Sequence, residues 1–371
     1  MRLRDYYRLG KKVFKARVYQ ETGRFEMPYK YSFVLTNVCQ SKCKTCHIWK
    51  IYEDNPEMLQ RELDTDQFKE IIDSISDDAI WLNFSGGEPF LFPDIVEVID
   101  YAFQNCPNLA LVNIPTNAIS HDHISDRLGE ILENKPGHIS LSVTISLDGL
   151  EGQHDMIRGV EGNWDRAMKL YEDLKEYEAE YDNFEAGFQT TVSKYNIDNL
   201  DEIFDFTRRS SIPIFTFAHE SYYFYNEDGG EELSRNVDKS DLMNAIDYIS
   251  SAYPVRRLQD IIPKLYLRLA EEFYRDQDHH VLPPSSGRGS VTIDPYGNVK
   301  LFSYFDTEMG DLKEHEFDIE SVLRSEKAKK ELEKVDNDEG EIYWVNCEAF
   351  PTIFQNPFRA VGLVAKSYLR E

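Results

Sequence analysis

Two periods of apolar and polar positions alternate along most of this chain. Between Tyr31 and about His219, short runs of β-branched and aromatic residues are separated by stretches with a helical apolar period. The runs 32–36, 80–84, 110–114, 139–147, 187–192 and 213–217 predict strands. Residues 66–75, 94–105, 121–133, 163–177 and 198–208 predict helices, the first capped by Asp64 and Thr65. Strands that alternate with helices imply βαβ units and a parallel sheet with right-handed crossovers. Six units suffice for most of a barrel but not for a closed ring of eight. The expected fold class is therefore α/β: a partial (β/α)6 TIM-like barrel, with chemistry at the carboxyl ends of its strands.

Beyond about Glu220 the pattern changes. Residues 226–232 form an acidic loop, followed by helical patterns at 241–251 and 258–275. Pro283, Pro284, Ser285, Ser286 and Gly287 mark a boundary. After it, runs 290–293 and 298–302 flank Asp294, Pro295, Tyr296 and Gly297, which predicts a hairpin, and a helix follows at 319–332. The expected organisation is a basic amphipathic segment (1–30), the barrel (31–225), an acidic loop with connecting helices (226–282), a small α+β module of hairpin plus helix (283–350) and a basic, apolar tail (351–371).

Hydrophobic content of 41% and a length of 371 residues fit a folded globular protein, and no apolar run approaches the ~20 residues that span a bilayer. The first residues lack the apolar core of a signal peptide, so a cytoplasmic location is expected. A net charge of −26 argues against nucleic acid as a partner. Both ends depart from that charge. Arg2, Arg4, Arg8, Lys11, Lys12, Lys15 and Arg17 interleave with Tyr6, Tyr7, Leu9, Val13 and Phe14. Phe358, Arg359, Val361, Leu363, Val364, Lys366, Tyr368, Leu369 and Arg370 repeat the mixture. Two readings stay open: helices packed on the body with their charges in water, or peripheral contact with an anionic membrane surface.

Three of the five cysteines, Cys39, Cys43 and Cys46, fall within eight residues just after the first strand. That crowding is no disulfide framework in a cytoplasmic chain. A tight loop at this spacing aims three thiolates at one region. A structural zinc wants four protein ligands, and His47, adjacent to Cys46, is an awkward fourth. An iron–sulfur cubane favours thiolates and can be held by three, with a small molecule on its fourth iron. Three incidental thiols are the remaining reading. Cys106, beside Pro107, reads as a small buried hydrophobe.

Cys-x3-Cys-x2-Cys after a first strand resembles the signature of the radical S-adenosylmethionine (radical SAM) superfamily, although Thr45 stands where many members carry an aromatic. Ser85-Gly86-Gly87-Glu88-Pro89 resembles the family's GGEP element, and Thr116 and Asn117 end the third strand where the family often contacts SAM. Ser146-Leu147-Asp148-Gly149, with His154-Asp155 and Arg158-Gly159, resembles the SLDG…HD..RG stretch of members that carry a SPASM or twitch extension. Thr191 and Asn196 fit the pattern weakly.

The resemblance implies one [4Fe–4S] cluster on Cys39, Cys43 and Cys46, and SAM held by Gly86, Gly87, Glu88, Thr116, Asn117, Ser146, Asp148 and Arg158. It also implies a flavodoxin- or ferredoxin-like electron donor, and hydrogen abstraction from a substrate by a deoxyadenosyl radical. The segments 287–299 and 310–312 resemble a SPASM/twitch module, but its usual cysteine positions read Ser285, Phe302 and Phe350, which leaves Cys347 alone. No auxiliary cluster is expected, since one cysteine cannot hold a cubane. A peptide or protein substrate and a lipid-type substrate stay open. Trp49, Trp81, Tyr222, Tyr223, Phe224 and Tyr225 are candidate pocket aromatics. The alternative function is a non-catalytic iron–sulfur or zinc-binding scaffold.

Overall fold

The computed structural model describes residues 3–217, 237–275, 280–302, 307–337, 339 and 344–367. Tyr222, Tyr223, Phe224, Tyr225 and the acidic loop 226–232 lie outside these residues. Each predicted barrel strand forms: β1 (Lys30–Val34), β2 (Trp81–Ser85), β3 (Leu111–Thr116), β4 (Ser140–Ser146), β5 (Phe184–Val192) and β6 (Ile212–Phe217). All five adjacent pairs are parallel, as βαβ connections require. The structure is the expected open α/β barrel. Its ends are left open because the sheet runs β6-β5-β4-β3-β2-β1 and then continues into the hairpin rather than closing.

That continuation departs from a module resting on the barrel. The hairpin strands β7 (Ser290–Ile293) and β8 (Asn298–Lys300) form as expected, but β7 pairs in parallel with β1. A ninth strand, β9 (Glu308–Asp311), completes one nine-stranded sheet. The helix expected over 319–332 is two helices, Ile319–Leu323 and Glu326–Asp336. Ser325 causes the break, because its side chain accepts from the Ala328 N–H and caps the second helix.

The two faces of the barrel sheet differ in chemistry. Side chains alternate across a strand. On the outer face, Tyr31, Phe33, Leu82, Phe84, Val112, Ile114, Leu141, Val143 and Ile145 are buried against the surrounding helices and form the main core. The amphipathic helix Thr65–Ile75 contributes Phe68, Ile71, Ile72 and Ile75 to it, and starts in a capping box between Asp64 and Gln67. The inner face is polar. The register puts Ser32, Asn83, Asn113 and Ser142 side by side, and Trp81 Nε1 donates to Asn113, whose amide donates to Ser142. A closed TIM barrel fills this space with branched aliphatic residues; here it carries hydrogen-bonding groups.

The N-terminal helix Leu3–Thr22 covers the floor of the barrel. Leu9 and Ala16 pack with Tyr29, Ile80 and Ala110, which precede the first residues of β1, β2 and β3. Lys12 pairs with Glu26 and Asp78 beneath them. Tyr7 and Phe14 stay 73% and 66% exposed, one stripe on the opposite face of this helix. The tail forms a second helix, Pro357–Ser367, with Phe358 exposed. No helix among the described residues is long and apolar enough to cross a membrane.

Candidate functional site

The three cysteines sit in a loop that leaves β1 and is gripped from two sides. On one side, Leu35 N–H donates to Ser85 O at 2.8 Å, Gly87 N–H to Thr36 O at 2.8 Å and Glu88 N–H to Val38 O at 2.9 Å. This contact requires glycine: a Cβ on Gly87 would meet the Val38 carbonyl, with Asn37 O only 2.7 Å away. On the other side, Lys42 N–H donates to Arg158 O and Lys44 N–H to Ile157 O, both at 2.9 Å. Gly159, at φ +67°, ends the helix Gly152–Arg158 against the Lys42 carbonyl, where a side chain has no room. The GGEP and RG elements are thus the two jaws that shape the cysteine loop.

Cys39, Cys43 and Cys46 open onto one cavity of ≈ 200 Å³ at the carboxyl ends of the strands. Gly86, Gly87, Thr116, Asn117, Ser146 and Arg158 share its wall. Gln189 and Thr191 from β5 and Thr216 and Phe217 from β6 complete it. Asn117 Nδ2 approaches Cys39 Sγ at 3.7 Å. Burial pushes the Cys39 thiol up to about 12 and raises that of Cys46, and neighbouring Cys43 adds to both.

Glu88 and Asp148, expected to touch the ligand, do not line this cavity. Glu88 is buried; its carboxylate accepts from Thr116 Oγ1 at 3.0 Å and from Asn117 N–H at 2.7 Å. It therefore ties the end of β2 to the end of β3. Burial pushes its pKa up to about 7 against the pull of these donors. Asp148 accepts from Arg158 Nη1 at 3.0 Å and from Thr191 N–H at 2.8 Å. Burial opposes the Arg158 charge, and Cys43, Asp148 and Cys39 more than offset it, so its pKa is raised. Its Nε is buried without an acceptor, which leaves a cationic group with hydrogen-bonding capacity at the cavity wall.

His154 is a core residue. Its Nδ1 accepts from Asp148 N–H at 3.2 Å, and its Nε2 lies 3.0 Å from the Asn163 side-chain amide. Burial, and then the nearby Arg158 charge, push its pKa down to about 4. Asn196 supports the same corner from behind, donating to Asp148 O and Thr191 O, each at 2.9 Å.

Sequence reasoning missed Gln189, Thr216 and a cluster at the root of the cysteine loop. There Glu62 accepts from Asn37 N–H at 2.7 Å, from Thr36 Oγ1 at 2.8 Å and from Tyr52 OH. Asn37 Nδ2 reaches Tyr296 OH in the hairpin turn at 3.1 Å. Burial raises the Glu62 pKa. Only the β1–β7 pairing brings Tyr296 to this place. Gln189 had a legible signal, since Glu185 and Thr191 share its parity in β5, whereas Thr216 shares its parity in β6 with Ile212 and Ile214 and had none.

Of the module positions, Ser285 donates its N–H to Thr352 Oγ1 at 3.0 Å and Phe350 packs edge-on against Tyr266. Ser286 Oγ donates to Glu348 at 2.8 Å, and Phe302, Phe273 and Trp344 close around a space of only ≈ 20 Å³. The Cys347 carbonyl accepts from buried Lys30 Nζ, which sits 5.0 Å from the centre of the Trp81 ring.

Residues 33–207 match the model of the radical SAM superfamily. Fe-coproporphyrin III synthase of Methanosarcina barkeri is 26% identical over 217 residues, 58% of this chain and 49% of that protein. The antilisterial bacteriocin subtilosin biosynthesis protein AlbA of Bacillus subtilis is 29% identical over 158 residues, 42% of this chain and 32% of that one. The chain thus spans about half the length of these relatives, or less. Among solved structures, Streptococcus suis SuiB bound to S-adenosylmethionine superposes with a TM-score of 0.53 at 16% identity, covering 77% of this chain and 63% of SuiB. SuiB has also been solved with its precursor peptide SuiA. With the barrel, the gripped cysteine loop and this match in agreement, residues 33–207 of the chain form a radical SAM superfamily domain.

Proposed function

We propose that this enzyme holds one [4Fe–4S] cluster on Cys39, Cys43 and Cys46, cleaves SAM reductively, and directs the resulting radical at a C–H bond of a peptide. One observation carries the reading: three thiols and the Arg158 side chain line the same cavity. A cubane fits that donor set better than zinc, because each thiolate binds a separate iron. The cluster and SAM, when bound, supply the electron and the carbon radical.

The chain's own residues would shape, charge and seal the site. The two glycine jaws fix the cysteine loop. Arg158, with Asp148 behind it, would offer its fork to the SAM carboxylate. Glu88 would hold Thr116 and Asn117 in position rather than touch the ligand. Ser146, Gln189 and Thr191 would orient the nucleoside or substrate. Burial around the thiols would keep water from the radical.

Two observations favour a peptide over a lipid. The barrel lumen is lined by Asn113, Ser142, Thr144 and Gln189, which suit amide groups and would strand an acyl chain among polar partners. The basic helix Leu3–Thr22 lies under the floor, at the opposite end from the cavity mouth, so a membrane bound there would not face the site. The neighbour SuiB, solved with a precursor peptide, and the bacteriocin-biosynthesis relative add support, while the synthase of Fe-coproporphyrin III makes tetrapyrroles the second substrate class to assay. The packed space beside Phe302 and the lone Cys347 favour a single cluster. The test is iron and acid-labile sulfide per chain in anaerobically reconstituted protein. About four of each support the reading; about eight would require an auxiliary cluster, and zinc without sulfide would refute the cluster outright.

A further inference from the structure

We propose that the outer surface of the cysteine loop docks an acidic electron-donor protein. The proposal rests on the radical SAM reading above and names a partner for that site.

No Asp or Glu occurs between Glu26 and Glu53, although the chain as a whole carries a net charge of −26. Three of the four lysines in this stretch, with Lys194 from just after β5, lie in pairs near two aromatic rings. Lys42 and Lys50 place their ammonium groups 5.2 and 5.4 Å from the centre of the Trp49 ring. Lys44 and Lys194 do the same to Tyr195, at 5.3 and 5.2 Å. Lys42 and Lys44 flank Cys43, and their backbone N–H groups are the ones pinned to Arg158 and Ile157. The charges are thus fixed to a rigid backbone and held near the surface by ring faces instead of waving in solvent. Lys42 meets Glu53 at 4.0 Å with both side chains 59% exposed, a contact that neutralises little. Among the described residues, Lys44, Lys50 and Lys194 make no ion pair with a carboxylate. Met156, 43% exposed and in contact with Lys44, adds an adaptable apolar spot.

A small apolar centre ringed by like charges suits a fast, weak, electrostatically steered encounter. Its place selects the partner. The substrate must enter the cavity that the thiols line, whereas Lys42 and Lys44 stand exposed on either side of buried Cys43, so an electron delivered at this patch has a short path to the loop. In the step, one electron leaves a flavin hydroquinone anion, which becomes the neutral semiquinone and keeps its proton. That electron takes the oxidised [4Fe–4S]2+ cluster to [4Fe–4S]+, and no bond in this chain is made or broken.

The experiment is stopped-flow reduction of the reconstituted holoenzyme by photoreduced flavodoxin, for wild type and for the triple variant Lys44→Glu, Lys50→Glu, Lys194→Glu. At low ionic strength the variant should be reduced about tenfold or more slowly, and the difference should vanish at about 1 M salt, where the screening length is roughly 3 Å. Reduction by photoreduced 5-deazaflavin, a small neutral donor, should be unchanged, as should flavodoxin reduction of Lys11→Glu at the far end of the barrel. The milder Lys44→Gln, Lys194→Gln pair, about threefold slower, guards against a misfolded triple variant. Equal flavodoxin rates in wild type and both variants would overturn the proposal. So would normal flavodoxin rates combined with a raised substrate KM under 5-deazaflavin, which would make the patch a substrate surface. Wild-type protein that takes up no iron would instead sink the radical SAM reading beneath it.

Discussion

The ion pair between Arg158 and Asp148 is the strut between the cavity wall and the cysteine loop, and its removal has a calculable cost. Asp148 is fully buried, Arg158 nearly so, and they meet at 3.0 Å. Arg158→Met leaves a buried carboxylate with one backbone donor, Thr191 N–H, and no counter-charge. Breaking such a pair costs about 3–5 kcal/mol. With an unfolding entropy of about 2.1 cal/mol/K per residue, the 371 residues give about 0.8 kcal/mol/K, so 4 kcal/mol lowers Tm by about 5 °C. Asp148→Asn, Arg158→Met removes both charges and should recover about half of that loss or more. The assay is a double-mutant cycle by thermal unfolding of the apoprotein, so that cluster loss does not enter. A coupling energy under about 0.5 kcal/mol would refute the reasoning, because the two side chains would then act independently.

Buried titratable groups give two pH tests of opposite sign. His154, held down to about 4, is neutral in the fold while the unfolded chain takes a proton near 6.5. Relative to His154→Gln, wild type should therefore lose up to about 3 kcal/mol as pH falls from 6.5 to 4. Glu88, raised to about 7, works in reverse: relative to Glu88→Gln, wild type should lose stability as pH rises from 4.5 to 7. Both are read from urea midpoints across pH. Gly87→Ala drives a methyl into the Val38 carbonyl and should cut reconstituted iron severely while the far-UV spectrum is retained. Ser325→Ala removes a cap at the Glu326–Asp336 helix and should cost about 1 kcal/mol in a thermal melt, with iron unchanged.

The barrel was legible because its strands and helices obey local periods, and each strand formed within a few residues of its expected place. The cysteine triad was legible for the same reason, as a motif confined to one loop. Pairing between distant segments was not. Nothing local to Ser290 or Tyr296 says that β7 will pair with β1, so the polar root of Glu62, Tyr52, Asn37 and Tyr296 was invisible. The orientation of Glu88 and Asp148 was illegible for a related reason: a motif names a carboxylate but not the direction in which it points. In the fold, burial and nearby backbone donors turn both carboxylates away from the cavity and toward neighbouring strand ends. His154 is likewise placed by packing: Trp164 and Asn163 hold it in the core.

The most direct test of the central claim is formation of 5′-deoxyadenosine by the reduced, reconstituted protein supplied with SAM. The account predicts 5′-deoxyadenosine and methionine in equal amounts from wild type, and neither from the Cys39→Ala, Cys43→Ala, Cys46→Ala variant. Wild-type protein that carries its cluster, is demonstrably reduced and leaves SAM intact would contradict it.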